Sequence, residues 1–398
     1  MVGASCALAL AGTGRSVVLI EGVAPNAAHQ PSFDERTTAL GNASRRIFEG
    51  LGVWRHIEPA TAAIRTIHVS EAGHFGFARL SAAEQGVDAF GYVAANRIIG
   101  ASLWGALGEA QGVSLRVPAT PETVEIAAER VSLTIVDAAG GRERFTAAVV
   151  VAADGAHSSV RAAAGIDAVV EDYGQVALVC NVAADRANDG TAYERFTPCG
   201  PLAVLPVHDG SFTLVWTVAA AHATRVLELP DQQFLQELQT RFGWRAGRFV
   251  RASRRASYPL QLTRAAATVG TRAVLIGNAA QALHPVAGQG FNLGLRDAAM
   301  LAELIAAGAE DAGAAQILSQ YAKWRASDRN GVIRFTDGLI KLFGDARSSV
   351  GVLRNLGLLL FDLAPPAKSA LARVSTGFGG PTPRLARGLT LAGRRIRG

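Results

Sequence analysis

A chain of 398 residues is too long for one ordinary domain, and with 49% apolar and only 18% charged residues it can bury a sizeable core. No run of about 18 apolar residues occurs, which excludes a membrane-spanning helix. The cysteine count is odd, at three, and no CxxC pair occurs, so neither a disulfide framework nor a zinc site is supported and the reducing cytoplasm is the natural compartment. The net charge of +6 suits an anionic cofactor, anionic lipid or nucleic acid; no helix-turn-helix, zinc-finger or RNA-binding signature is present, so nucleic acid is the poorest of the three.

Residues 2–13 read as a helix of small apolar residues that ends at Gly12-Thr-Gly14. No basic residue precedes it and Arg15 follows it, so it belongs to a globular domain and not to a secretory signal. Ser16-Val-Val-Leu-Ile20 has the continuous apolar run of a parallel strand covered on both faces, and it ends at Glu21. Residues 22–40 read as a loop and 41–51 as a helix. Residues 64–94 alternate in character, and 97–110 read as a helix. Short alternating runs at 113–117, 122–127, 130–136 and 142–147 predict antiparallel strands, whereas Ala148-Val-Val-Val-Ala152 is again of the buried parallel type. Residues 175–219 alternate, with a hairpin turn at His208-Asp-Gly210. A helix follows at 231–242 and strand character returns at 250–258. Ala273-Val-Leu-Ile276 is a strand leading into Gly277, and helices dominate from about 290.

The expected fold is an α/β composite. A Rossmann-like domain is assembled from residues 1–75, 92–168 and 262–325. An antiparallel-sheet domain from 76–91 and 169–261 is inserted in it, and a helical region with a basic tail covers 326–398. No acidic residue follows Asp362, while Lys368, Arg373, Arg384, Arg387, Arg394, Arg395 and Arg397 do. Two readings fit that tail: a solvated, partly disordered segment, or a membrane-surface contact together with the apolar Leu356-Gly-Leu-Leu-Leu-Phe361.

Three segments carry chemistry. The first is Met1-Val-Gly3-Ala-Ser5, then helix, strand and Glu21. A dinucleotide fingerprint needs a strand, Gly-x-Gly-x-x-Gly, a helix, a second strand and an acid about 20 residues on. Its glycines let the backbone approach a pyrophosphate, and the helix start supplies N–H donors. Only the last glycine, Gly3, and the acid, Glu21, are present. The second segment is Val151-Ala-Ala-Asp154-Gly155-Ala-His157-Ser158-Ser-Val-Arg161. Asp154 at a strand's C-terminal end faces the crevice where such sheets bind ligands; it is equally a good helix cap. His157 reads as a surface or capping residue. The third runs Gly277-Asn278-Ala-Ala-Gln281-Ala-Leu-His284-Pro285-Val-Ala-Gly288-Gln289-Gly290-Phe-Asn292. Here a strand ends in Gly-Asn, and Gly-x-Gly opens a long helix whose N–H groups face something electron-rich.

In order and spacing these segments resemble the FAD-dependent aromatic hydroxylases of the para-hydroxybenzoate hydroxylase fold, over essentially the whole chain. Gly277-Asn278-Ala-Ala-Gln281 departs from the usual Gly-Asp-Ala-Ala-His. That variant is similar to the UbiH-like branch, the 2-polyprenyl-6-methoxyphenol hydroxylases of ubiquinone biosynthesis. Phe33-Asp34-Glu-Arg36-Thr-Thr-Ala-Leu40, Ile67-His68-Val-Ser70 with Gly73-His74, and Glu194-Arg195-Phe196-Thr197 with Gly200-Pro201-Leu202 add to the resemblance.

The resemblance implies bound FAD, with NAD(P)H as a transient cosubstrate. Oxygen would pass through a flavin hydroperoxide to the ring of a polyprenyl phenol, in a site that excludes water. It places Gly3 under the pyrophosphate, Glu21 at the adenosine ribose, Arg36 near the flavin or pyrophosphate, and Asp154 and Gly155 against the cofactor. Asn278 would replace the usual Asp, and Pro285, Gly288, Gly290 and Asn292 would border the isoalloxazine. His284 is a candidate only by proximity to that ring, and a structural histidine beside a proline turn reads as well; no catalytic base is assigned and no metal is expected. The resemblance also implies a cytoplasmic enzyme, with peripheral membrane contact and other ubiquinone-biosynthesis proteins as partners left open. Two rivals stand beside it: a same-fold flavin reductase or oxidase, and, from a different class, a non-catalytic scaffold of the quinone-synthesis assembly unable to hold FAD because its N-terminus is incomplete. The family pattern opens with a strand and Gly-Gly-Gly-Met-Val-Gly. Met1 falls on its internal Met, so the expectation is that the first strand and first two glycines lie upstream of this start or have been lost.

Overall fold

Both apolar runs read as parallel strands do pair in parallel, each with a partner distant in sequence, in a computed structural model that describes residues 1–25, 27, 36–308, 310–344 and 364–396. Val17–Ile20 pairs with Val113–Arg116, and Val150–Ala152 with Ala273–Leu275. Among the described residues these are separate sheets. The expectation of a strand covered on both faces fails for Val17–Ile20. Val17 and Leu19 pack into the core beside the Val2–Ala11 helix, while Val18 on the other face is 37% exposed.

Residues 22–40, read as a loop, contain a strand at their end. Thr37–Gly41 pairs with Gly91–Ala95, which also pairs with Thr61–Ile64. Nothing local in Thr-Thr-Ala-Leu-Gly demands a strand; the partner supplies it.

A nine-stranded sheet forms the second layer. Its centre is Ala168–Ala184, flanked by Phe212–Ala219 and Ala256–Ala265. Gly200–Pro206 and Thr191–Thr197 follow outward. Thr66–Glu71, assigned by the sequence to the cofactor-binding part, joins this sheet by pairing in parallel with Thr191–Thr197. The hairpin at residues 207–211 forms as expected, with Gly210 at φ 85°. The helices Ala220–Glu228 and Asp231–Phe242 cover one face, burying Val226, Phe234 and Phe242 against Trp216 and Leu178. The first of these was not expected from the sequence. The opposite face looks toward the cofactor-binding layer.

Helix Gln289–Ala307 runs through the core and packs on Val2–Ala11 and on the long helix Ala315–Gly344. Helix Pro365–Ser375 follows. The disordered-tail reading fails for residues 376–396. Leu385 and Ala386 are buried in the main core, with Leu391 and Ile396 packed on it, so apolar residues between the arginines hold the segment down. Residues 33–34 and 356–361, cited in the sequence reading, lie outside the described residues.

Candidate active site

The glycines of the first and third segments bring backbones together. A Cβ on Gly3 would stand 3.1 Å from the Ala153 Cβ, and one on Gly277, whose φ is +56°, 3.2 Å from Val2 Cγ1. A Cβ on Gly294 would lie 2.9 Å from Gly277 Cα. The first turn of Val2–Ala11 is thereby seated between the ends of two parallel strands. A helix start there presents unpaired N–H groups and the positive end of its dipole.

Glu21 ends the Val17–Ile20 strand, and its Oε1 accepts the Val23 N–H at 3.1 Å. Asp154 is exposed, and its Oδ2 accepts the Ser159 and Val160 N–H groups at 2.9 and 3.3 Å. The N-cap itself is Ser158, whose hydroxyl oxygen accepts the Arg161 N–H, and Asp154 reaches the same helix start from four residues upstream. Gly155 has φ +93°, a conformation a side chain would strain. Arg161 donates to the Ala279 and Ala156 carbonyls at 3.0 and 2.8 Å, tying the second segment to the third.

The third segment splits into residues used by the protein and residues left over. Asn292 is fully engaged. Its Oδ1 accepts from the Gly41 N–H and Ser44 hydroxyl at 2.9 and 2.6 Å, and its Nδ2 donates to the Ala39 and Gly288 carbonyls at 2.8 and 2.7 Å. Asn278, by contrast, is exposed and its side chain makes no hydrogen bond among the described residues. Gln281 donates to Asp297 at 2.9 Å, and Asp297 also accepts the Gly277 N–H and pairs with Arg325 at 2.7 Å. His284 is buried, with its Nδ1 accepting the Val286 N–H at 3.2 Å and its ring edge-on to Tyr173. Burial lowers its pKa to about 4, so it is neutral and braces the Pro285 turn.

A cavity of about 920 Å³ lies between this loop and the open face of the large sheet. Arg36, Asn278, Pro285, Gly288, Gly290 and Asn292 all line it; Gly3, Glu21, Asp154, Gly155 and His284 do not. Gly288 sits at φ +59°, and a Cβ there would come 3.3 Å from the Ala39 Cβ, whereas a Cβ on Gly290 would meet no protein atom within 4 Å. Arg36 stacks over the Tyr258 ring, 4.6 Å from its centroid. Phe196 and Phe343 stack at 3.6 Å and close one wall. Glu194, which the sequence reading quoted but did not assign, also lines the cavity, and burial pushes its carboxyl up to about 8.

A family model described as an FAD binding domain matches residues 1–336. The chain belongs to the FAD-binding domain family. It is 36% identical over 398 aligned positions to the ubiquinone hydroxylase UbiL of Rhodospirillum rubrum, covering 98% of this chain and 91% of the relative. It is 32% identical to the 3-demethoxyubiquinol 3-hydroxylase of Escherichia coli, covering 95% and 96% of the two chains. In fold it is similar to the p-nitrophenol 4-monooxygenase PnpA of Pseudomonas putida, with a TM-score of 0.79 at 19% identity over 95% of this chain and 96% of that one. The residues of this FAD-binding chain fit the cofactor. Among the described residues Gly290 opens onto empty space and the Asn278 side chain is unengaged, and glycines clear the helix start at Val2–Ala11.

Proposed function

We propose that the protein hydroxylates the aromatic ring of a polyprenyl phenol in ubiquinone biosynthesis, using FAD, NAD(P)H and O2. The observation that carries this reading is the cavity's shape and chemistry. It begins at the Gly288–Gly290 loop and extends past the sheet face to Ile64, Leu80, Phe90 and Leu371, an apolar arm suited to an isoprenoid chain. The hydroxylases among the relatives support the same reading.

Gly3 and Asp154–Gly155 would line the path of the pyrophosphate, Glu21 would accept from the ribose, and Asn278 would hold the chain between them. Pro285, Gly288 and Gly290 would border the flavin ring. Bound FAD supplies the redox chemistry that activates oxygen, with NAD(P)H as reductant. This chain's residues supply the rest. Asn292 fixes the spacing between the 37–41 strand and the Gly288 turn. Phe196, Phe343 and Leu339 keep water from the ring, which protects a reactive oxygen donor from discharge. Arg36 stands at the junction of the two layers.

No helix among the described residues is long and apolar enough to cross a membrane. A lipid-soluble substrate is nevertheless met at a membrane surface, and the exposed Arg387, Arg394 and Arg395 suit its anionic headgroups.

The test is an absorption spectrum of the purified protein, read for flavin, followed by turnover of a 2-polyprenyl-6-methoxyphenol under isotopically labelled O2. We expect NAD(P)H-dependent product carrying one labelled oxygen. Reduction of the substrate without oxygen incorporation would overturn the reading.

A further inference from the structure

Glu194 is out of place by every rule of strand patterning. Along Thr191–Thr197, Ala192, Glu194 and Phe196 share the face turned to the cavity. Glu194 pairs with Val69 on one side and Ala203 on the other, and Val215 lies beyond Ala203. A carboxyl therefore projects from the middle of an apolar sheet face. Its Oε1 is buried and has no hydrogen-bond partner among the described residues. An unmatched buried acceptor of this kind is destabilising, more so if charged, and such a group calls for a partner from outside the protein.

We propose that Glu194 is the catalytic residue that accepts the proton of the substrate's phenolic hydroxyl, an inference that rests on the hydroxylase reading above. The hydroxyl O–H bond breaks and an O–H bond forms on the Glu194 carboxylate. The electron pair stays on the phenol oxygen and enriches the ring carbons ortho and para to it; one of these takes the outer oxygen of the peroxide-level donor that bound FAD would supply from O2, whose O–O bond breaks and leaves its electron pair on the donor. The ring then regains aromaticity by losing its C–H proton to the oxyanion left on the donor, the proton held by Glu194 returns to the phenolic oxygen, and the carboxylate is restored.

The surroundings suit a base that works near neutral pH. Burial holds the carboxyl near 8, with no charged neighbour among the described residues contributing. Of the cavity-lining described residues only Arg36 and Glu194 are charged, and Arg36 lies at the rim over Tyr258. On the same sheet face, Glu71 sits one pair further along, beside Phe196, with His74 3.6 Å from its carboxylate. Arg195 and His68 lie on the opposite face, Arg195 donating to the Arg241 carbonyl. From the Ala315–Gly344 helix, Asp337 and Lys341 pair with each other at 2.7 Å, while Leu339 and Phe343 present apolar groups to the cavity. A carboxyl near 8 is protonated at lower pH and cannot accept, so turnover must rise with pH.

The experiment uses the flavin-loaded enzyme and a 2-polyprenyl-6-methoxyphenol. We expect kcat/KM to climb between about pH 6 and about pH 9.5 with a midpoint near 8. Glu194→Gln should lose roughly 100-fold or more and the rise near 8, the scale for removing a general base. Glu194→Asp should recover part of the rate. Independently of turnover, the infrared C=O stretch of a protonated carboxyl should titrate near 8 in the wild type and be missing in Glu194→Gln, with flavin content unchanged. A Glu194→Gln enzyme with the wild-type rate and pH profile, or an infrared titration in the ordinary carboxylate range, would overturn the proposal while leaving the hydroxylase reading intact. A wild type that incorporates no oxygen would instead sink the hydroxylase reading.

Discussion

At the scale of single residues, Gly288 and Gly290 look alike in the sequence and differ in the structure. Gly288 is required by its own backbone, at φ +59° with Ala39 close by. Gly290 is not: a side chain there would touch only what the cavity holds. Gly290→Val therefore leaves the fold intact and should abolish bound flavin or its reduction; a variant with normal flavin content and turnover would refute the placement of the ring. The two asparagines divide in the same way. Asn292→Asp would set carboxylate oxygens against the Ala39 and Gly288 carbonyls that Nδ2 now serves. It should cost at least about 1–3 kcal/mol in urea unfolding, and an unchanged midpoint would show the clamp to be dispensable. The sequence could mark both asparagines as candidates, because an amide near Gly-x-Gly is a plausible ligand. Which one the protein consumes depends on Gly41 and Ser44, some 250 residues away in the chain. Glu194 was legible in principle, as the one polar residue on the apolar side of an alternating strand.

At the scale of elements, a chain of buried charges joins two helices. Arg296 of Gln289–Ala307 donates to Asp328 at 2.8 Å, and Arg325 of Ala315–Gly344 bridges Asp328 and Asp297 at 2.6 and 2.7 Å. Burial works to raise the Asp328 pKa, but Arg296 and Arg325 outweigh it and hold the carboxyl below its ordinary 3.8. The stabilisation is complete above that value and is lost as acid carries the group through its lowered folded pKa. Asp328→Ala leaves two buried guanidinium groups short of a partner and should cost about 3–5 kcal/mol. A melting temperature within a degree or two of wild type would count against that accounting. Strands and helices with strong local patterns were readable, including the parallel pairing of Val17–Ile20 and Val150–Ala152. Thr37–Gly41 and Ala220–Glu228 were not, because a partner strand and an underlying apolar cluster create them.

At the scale of the whole molecule, the basic segment at residues 376–396 does two jobs: Leu385 and Ala386 complete the core, and Arg387, Arg394 and Arg395 face outward. Replacing Arg387, Arg394 and Arg395 by Gln tests the second without touching the first. Each should weaken sedimentation with anionic liposomes by about 1 kcal/mol. Equal sedimentation of the variant and the wild type would remove the segment from any membrane role. The first job has a consequence for synthesis. The Ala43 N–H bonds the Thr376 carbonyl at 2.9 Å, and Leu385 presses against Gly50 so closely that a Cβ there would lie 2.7 Å from it. At typical translation rates of about 5–20 residues per second, the interval between making Gly50 and making Leu385 is on the order of tens of seconds. For that time helix Asn42–Gly50 waits without the contact from Leu385, and the flavin loop, tethered to the same helix through Asn292 and Ser44, is itself made only about 5–20 s before Leu385. The frame around the flavin loop is thus completed only late in synthesis, and a nonsense codon between residues 376 and 385 should lower the yield of folded, flavin-containing protein, read by absorbance against the full chain.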